Sequence, residues 1–154
     1  MLTSLATNYN RRNKNVRLYE MGNIYIPQEL PLTELPDERM QFTLGMYGDG
    51  DFFNMKGVVE EFFEKIGMKG REKYDPNAGK SFLHPGRQAN IIYDGKVVGY
   101  LGEVHPEVAD IYGIGERAYV AVLDMPEIIP YATFDRKYTG TVSYTHLTLP
   151  TNRE

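Results

Sequence analysis

The sequence predicts an α+β domain, a mainly antiparallel sheet flanked by helices. Three stretches carry that expectation. Residues 39–47 alternate, with Met40, Phe42, Leu44 and Met46 set against polar or small neighbours, as a half-buried strand requires. Met55, Val58, Val59, Phe62, Phe63 and Ile66 instead recur at three- and four-residue intervals, the spacing of an amphipathic helix laid on a core. Residues 87–93 and 96–104 are strand-like runs joined at Asp94-Gly95, a dipeptide suited to the positive φ angles of a tight hairpin turn.

The remaining elements follow in chain order. Leu2, Leu5, Ala6 and Tyr9 predict a helix over residues 2–13, with a polar, basic tail from Asn10 to Asn15 that suits a helix end. Leu2 already lies on the apolar face without a lead-in, so Met1 is expected to be an internal methionine. Residues 16–26 read as a strand interrupted at Gly22, and Pro27, Pro31 and Pro36 then impose a loop. Gly48-Asp49-Gly50 is a turn. The amphipathic helix has Asn54 as its expected N-cap and Gly67 as its stop. His105-Pro106-Glu107 opens a short helix with Pro106 at its first position, where no amide donor is needed. Residues 118–124 form a buried-strand candidate, and Pro126 starts a helical turn through Ile129.

With 154 residues, 42% hydrophobic and 25% charged, the chain fits one ordinary globular domain. Seventeen Lys and Arg against 21 Asp and Glu leave a formal charge of −4, which argues against an independent grip on phosphates and against DNA as a partner. There is no cysteine, so disulfides, thiolate metal sites and a cysteine nucleophile are excluded. No apolar run reaches the ~18–20 residues needed to span a bilayer, and the N-terminus lacks a signal-peptide pattern. The expectation is a cytoplasmic protein without membrane contact.

Candidate chemistry is sparse. His84 and His105 each precede a proline, where turn geometry explains them, and His146 lies in the last fourteen residues; none has a second ligand at metal-site spacing. No Ser or Cys elbow supports a histidine-based triad. Gly113-Ile114-Gly115-Glu116-Arg117 has glycine spacing before an arginine, but it falls between a helix and a strand and reads as a loop. Arg11, Arg12, Lys14 and Arg17 form a basic cluster that a solvated helix end accounts for. Glu60, Glu61 and Glu64 occupy the wet face of their helix. The expectation is therefore no catalytic, cofactor-binding or metal-ligating residue.

Several segments in order resemble the bacterial phenylalanyl-tRNA synthetase β chain: Asn8-Tyr9-Asn10-Arg11 with Val16-Arg17-Leu18-Tyr19-Glu20-Met21-Gly22; Asp51-Phe52-Phe53-Asn54-Met55-Lys56-Gly57; Leu83-His84-Pro85-Gly86-Arg87; and Gly99-Tyr100-Leu101-Gly102-Glu103-Val104-His105-Pro106-Glu107-Val108. The resemblance covers nearly all of residues 1–140 and implies an inactive class II aminoacyl-tRNA synthetase core, truncated at both ends. It places the motif-two strand pair at 16–26 and 39–47, with the ATP-gripping arginine's position near Ile26-Pro27. The motif-three strand and helix correspond to Tyr119–Ile129, where Val120, Val122, Leu123, Asp124 and Met125 stand in place of glycines and arginine. Adenylation needs cations at the transferring phosphates, so this chain is expected not to catalyse it.

What the resemblance implies is a structural module that packs against the catalytic α subunit of a heterotetramer. Phenylalanine and ATP with Mg2+ would bind elsewhere in the complex, and tRNA(Phe) would be met through the whole assembly. A free-standing small-molecule-binding domain or enzyme of the same fold class is the rival; a deep pocket with converging charges would favour it, and a broad apolar surface would favour the interface. An independent tRNA-binding adapter is weaker, given the acidic charge. Residues 141–154 stand apart: Thr141–Thr151 resembles the translation of a transposon-based sequencing adapter, so the native chain is expected to end near Gly140. Genomic codons for this stretch, found on resequencing, would refute that.

Overall fold

The computed structural model describes residues 1–68 and 70–134. The boundary expected at residue 140, and the tail beyond it, lie outside the described residues. Within them the chain runs α1 (Leu2–Asn10), β1 (Val16–Ile26), β2 (Asp37–Tyr47), α2 (Phe52–Lys65), β3 (Glu72–Asp75), β4 (Leu83–Tyr93), β5 (Lys96–Val104), α3 (Pro106–Tyr112), β6 (Ala118–Asp124) and α4 (Met125–Ile128), followed by a 3-10 turn over Ile129–Tyr131. The strands form one six-stranded sheet in the order β1-β2-β6-β5-β4-β3. Every neighbouring pair is antiparallel.

The central strand β6 shows how the layers arise. Tyr119, Ala121 and Leu123 join Met55, Val59 and Phe63 of α2 in one core, together with Leu44, Met46, Ile91 and Leu101. Ala118 and Val120 point the other way, toward Leu5 and Ala6 of α1 and Ala109 of α3, in a second core that also holds Val16, Tyr47 and Val104. A strand buried on both faces loses the polar alternation of an exposed one, which is why 118–124 reads as a nearly continuous apolar run.

Local chemistry fixes the element ends. Asp51, not Asn54, is the N-cap of α2: its carboxylate accepts from the Asn54 amide at 2.9 Å, while the Asn54 side chain accepts from the Asp51 amide at 2.9 Å. This reciprocal capping box starts the helix at Phe52, three residues earlier than a cap at Asn54 would. Asp94 and Gly95, with φ of 51° and 77°, make the expected two-residue hairpin turn. A Cβ added at Gly99 would sit 2.4 Å from the Val122 carbonyl oxygen, so only glycine lets β5 lie this close to β6.

Helix α1 stops at Asn10, three residues short of the sequence expectation, because Arg12 adopts a left-handed conformation (φ 61°) and turns the chain toward β1. β4 begins at Leu83, earlier than expected, and β3 was not anticipated at all. The two expected histidine roles are local: His84 Nδ1 accepts from the Gly86 amide at 3.1 Å, and His105 Nδ1 accepts from the Glu107 amide at 3.3 Å as N-cap of α3.

Burial raises the hydroxyl pKa of Tyr47, Tyr74, Tyr100 and Tyr119 above the usual 10.0, with the Glu60 and Glu72 carboxylates adding to the effect at Tyr74. A phenol whose folded pKa is raised favours the folded state fully below 10.0, and that contribution is lost as pH rises toward the folded values. Alkaline titration is therefore expected to unfold the chain cooperatively above about pH 10, with the phenolate absorbance of these four tyrosines and loss of circular dichroism coincident. Phenolate formation at these four well ahead of unfolding would contradict this.

Candidate functional site

Two surfaces of the sheet bear on function. The first is the part of the α1 face that α1 does not cover. By register, Glu20 of β1, Thr43 of β2, Val122 of β6, Tyr100 of β5 and Asn90 of β4 form one row across it. Glu20, Gly22, Ile24, Gln41 and Thr43 help line a shallow depression of about 240 Å3 whose walls contain no lysine or arginine. The lining side chains therefore offer a polyphosphate no positive charge: the one ionisable group among them, Glu20, is an acid, and the Met1 ammonium beside it at 3.0 Å is already paired with it. The residues present do not fit ATP there.

Arg39 lies on the same face as this row, four residues before Thr43 and opposite Ile24 near the start of β2. Sequence reasoning did not single it out. Its guanidinium lies 3.0 Å from Asp124, 3.1 Å from Glu127 and 3.9 Å from Asp37, so three carboxylates already engage it. Asp124 raises the Arg39 pKa, and burial raises that of Asp124 against the pull of Arg39. The cluster ties β2 to β6 and α4 as a structural clamp. Asp124 stands within the motif-three correspondence, and its partner on this chain is Arg39.

The other sequence candidates disperse. Arg11, Arg12 and Lys14 are exposed at the α1–β1 turn, and Arg17 pairs with Asp49 at 3.4 Å. Gly113–Arg117 is the α3–β6 loop, as expected, with Gly113 in the left-handed C-cap position of α3 (φ 74°). Arg117 approaches the buried Glu103 at 3.9 Å. Among the described residues no group of three or more His, Asp or Glu is arranged to hold a metal ion.

An apolar pocket of about 400 Å3 lies between the start of α2 and β4, lined by Phe52, Phe53, Tyr74 and Ala89 with Lys56 and Arg87 at its edge. Both cations are already paired, Lys56 with Glu60 at 2.9 Å and Arg87 with Glu103 at 2.5 Å. It is not the converging charged pocket that the small-molecule reading requires.

The second surface is the β1–β2 hairpin. Half of the sixteen large apolar side chains exposed among the described residues fall between Tyr19 and Met40. Tyr19, Met21, Tyr25 and Met40 share the face on which α2 packs, by register with Leu44, Phe42 and Glu38. The Phe62 ring of α2 reaches Phe42 at 5.0 Å, Tyr19 lies 6.0 Å from Phe42, and among the described residues Tyr19, Met21, Tyr25 and Met40 remain exposed. Ile26 is exposed on the other face of the hairpin, and in the loop that follows Leu30, Leu32 and Leu35 are exposed. β1 is also an edge strand. Large apolar side chains gathered in the open along an unpaired edge are the signature of a protein interface. The sequence does carry a signal for it, three leucines spaced among three prolines with neither helical nor strand period.

This architecture is that of a class II aminoacyl-tRNA synthetase core. It superimposes on two structures of pyrrolysyl-tRNA synthetase from Desulfitobacterium hafniense. The TM-scores are 0.63 and 0.65 at 11% and 10% identity, covering 85% and 84% of this chain and 48% and 46% of those. The family is given by sequence: residues 1–125 match the phenylalanyl tRNA synthetase beta chain CLM domain, and the chain belongs to that family. It is 41% identical over 138 residues to the phenylalanine–tRNA ligase beta subunit of Clostridium acetobutylicum and 36% identical over 138 residues to that of Clostridium tetani. Each alignment takes in 90% of this chain and 17% of the relative. The beta subunit of Streptococcus thermophilus is 36% identical over 140 residues, which is 83% of this chain and again 17% of the relative. The chain thus corresponds to one module of a much longer subunit. Among the described residues no helix is long and apolar enough to cross a membrane.

Proposed function

We propose that this chain is a non-catalytic module of a phenylalanine–tRNA ligase β subunit that packs against the catalytic α subunit, and so supports tRNA(Phe) aminoacylation in the cytoplasm. The observation that carries this is the uncovered apolar surface of the β1–β2 hairpin, running from Tyr19 to Met40. The uncovered row of the sheet supports the non-catalytic part, because its depression has no cation and Arg39 is held by Asp124 and Glu127. On this reading ATP, Mg2+ and phenylalanine bind to the α subunit, and tRNA(Phe) meets the assembly as a whole.

Two measurements test it. The purified chain is expected to show no phenylalanine-dependent ATP–pyrophosphate exchange, and robust exchange would refute the non-catalytic assignment. Residues 1–140, mixed with the α subunit of a close bacterial relative, are expected to co-elute as a stable complex. Separate elution of two folded chains would put the interface elsewhere.

A further inference from the structure

We propose that the tip of the β1–β2 hairpin, residues 27–36, is a docking prong that seats its leucines in an apolar, basic-rimmed pocket of the α subunit and takes no part in RNA contact. This rests on the packing role proposed above and names the element and chemistry that perform it. Leu30, Leu32 and Leu35 are 80%, 58% and 91% exposed, within six residues of one loop. A solvated loop has no use for three such side chains, and leucines presented together are recovered only by a matching apolar cavity. Pro27, Pro31 and Pro36 each fix a backbone φ, and the Thr33 hydroxyl donates to the Glu29 carboxylate within the loop. The prong is therefore partly ordered before it binds, which lowers the entropy lost on docking.

Charge selects the occupant. Residues 27–38 carry Glu29, Glu34, Asp37 and Glu38 and no lysine or arginine. Gln28, Glu29 and Glu34 line a notch of about 310 Å3 beside the leucines, with room for a cationic side chain from the partner. A phosphate backbone would be repelled by this surface, whereas an apolar pocket rimmed by Lys or Arg complements it in both respects. The prong also joins the strand ends that carry Tyr25 and Met40, both exposed on the α2 face of the hairpin.

The test uses the full-length β subunit containing this segment, titrated with the α subunit and, separately, with tRNA(Phe). Replacing the three leucines (Leu30→Ser, Leu32→Ser, Leu35→Ser) is expected to weaken α binding by about a hundredfold or more. The double reversal Glu29→Lys, Glu34→Lys is expected to weaken it by about tenfold and to blunt its dependence on salt. tRNA affinity of the isolated β subunit should stay unchanged in both. Unaltered α affinity in both variants, with the unsubstituted β subunit binding normally, overturns the prong and leaves the packing role intact. Lost tRNA affinity with unaltered α affinity also overturns it, by making the tip an RNA element. An unsubstituted β subunit that does not bind α removes the packing role itself, and the prong with it.

Discussion

Replacing Phe63 with alanine is expected to destabilise the chain by about 3–5 kcal/mol, the cost of emptying a fully buried aromatic site. Phe63 is 0% exposed on the sheet-facing side of α2, packed with Met55 and Val59 in the core that also holds Leu44, Ile91 and Leu101. Its ring lies 6.0 Å from Phe62 and 6.4 Å from Tyr93. These neighbours are held by the sheet on one side and the helix on the other, so the site cannot collapse onto the lost ring. A domain of this size has about 5–15 kcal/mol of stability in total, so the variant forfeits a large fraction of it. Phe53 belongs to the same helix but is 74% exposed, and its replacement by alanine is expected to change stability by no more than about 0.5 kcal/mol. Urea unfolding of the pair, with unchanged slopes, reads the contrast directly. Equal losses would mean that α2 presents a different face to the sheet.

That helix shows what the sequence discloses and what it withholds. The apolar positions of α2 are visible because one face of a long helix must be buried, and burial leaves a period of 3.6 residues. Its first turn is hidden: Phe53 falls outside the period, and the capping box that sets the start depends on side-chain geometry between Asp51 and Asn54. β3 is hidden for a different reason. Glu72-Lys73-Tyr74-Asp75 is four residues long, largely charged and at the sheet edge, so its only warrant is pairing with Asn90–Tyr93 of β4, a contact between distant residues. The start of β4 is masked by His84-Pro85-Gly86, which break alternation where the register itself shifts between Leu83 and Gln88.

The candidate surfaces divide in the same way. That Ile26-Pro27 and Tyr119–Ile129 contain no lysine or arginine is plain from residue identities. That Arg39 lies beside them and is consumed by Asp124 and Glu127 is not, because these groups come together only when β2, β6 and α4 are assembled. The hairpin strip was equally unreadable as a surface. Tyr19, Met21 and Met40 alternate as a core-facing strand should, and nothing in one sequence says that α2 ends its cover at Phe42.

The segments that carry the family resemblance make structural contacts, and Arg87 is where this has the sharpest consequence. Asp51–Met55 supplies a cap, Gly99 a close strand approach and His105-Pro106 a helix start. Arg87 and Glu103, one from each of two such segments, meet across the β4–β5 hairpin: Nε of Arg87 is 2.5 Å from one carboxylate oxygen and Nη2 donates to the other at 3.4 Å. Their environments are unequal, since Glu103 is 2% exposed and Arg87 is 42% exposed. Arg87→Met is therefore expected to cost about 2–4 kcal/mol, because it strands a buried carboxylate whose remaining neighbour, Arg117, is 3.9 Å away and 72% exposed. Glu103→Gln is expected to cost only about 1 kcal/mol, because the freed guanidinium can turn to water and the amide keeps an acceptor in place. In the double variant the Arg87→Met penalty should largely vanish, since no buried charge is left uncompensated. Three unfolding curves decide it. If Arg87→Met costs the same with glutamine at 103, the arginine acts through the packing of its stem at the edge of the pocket it lines with Phe52 and Phe53, and the ion pair is incidental to the fold.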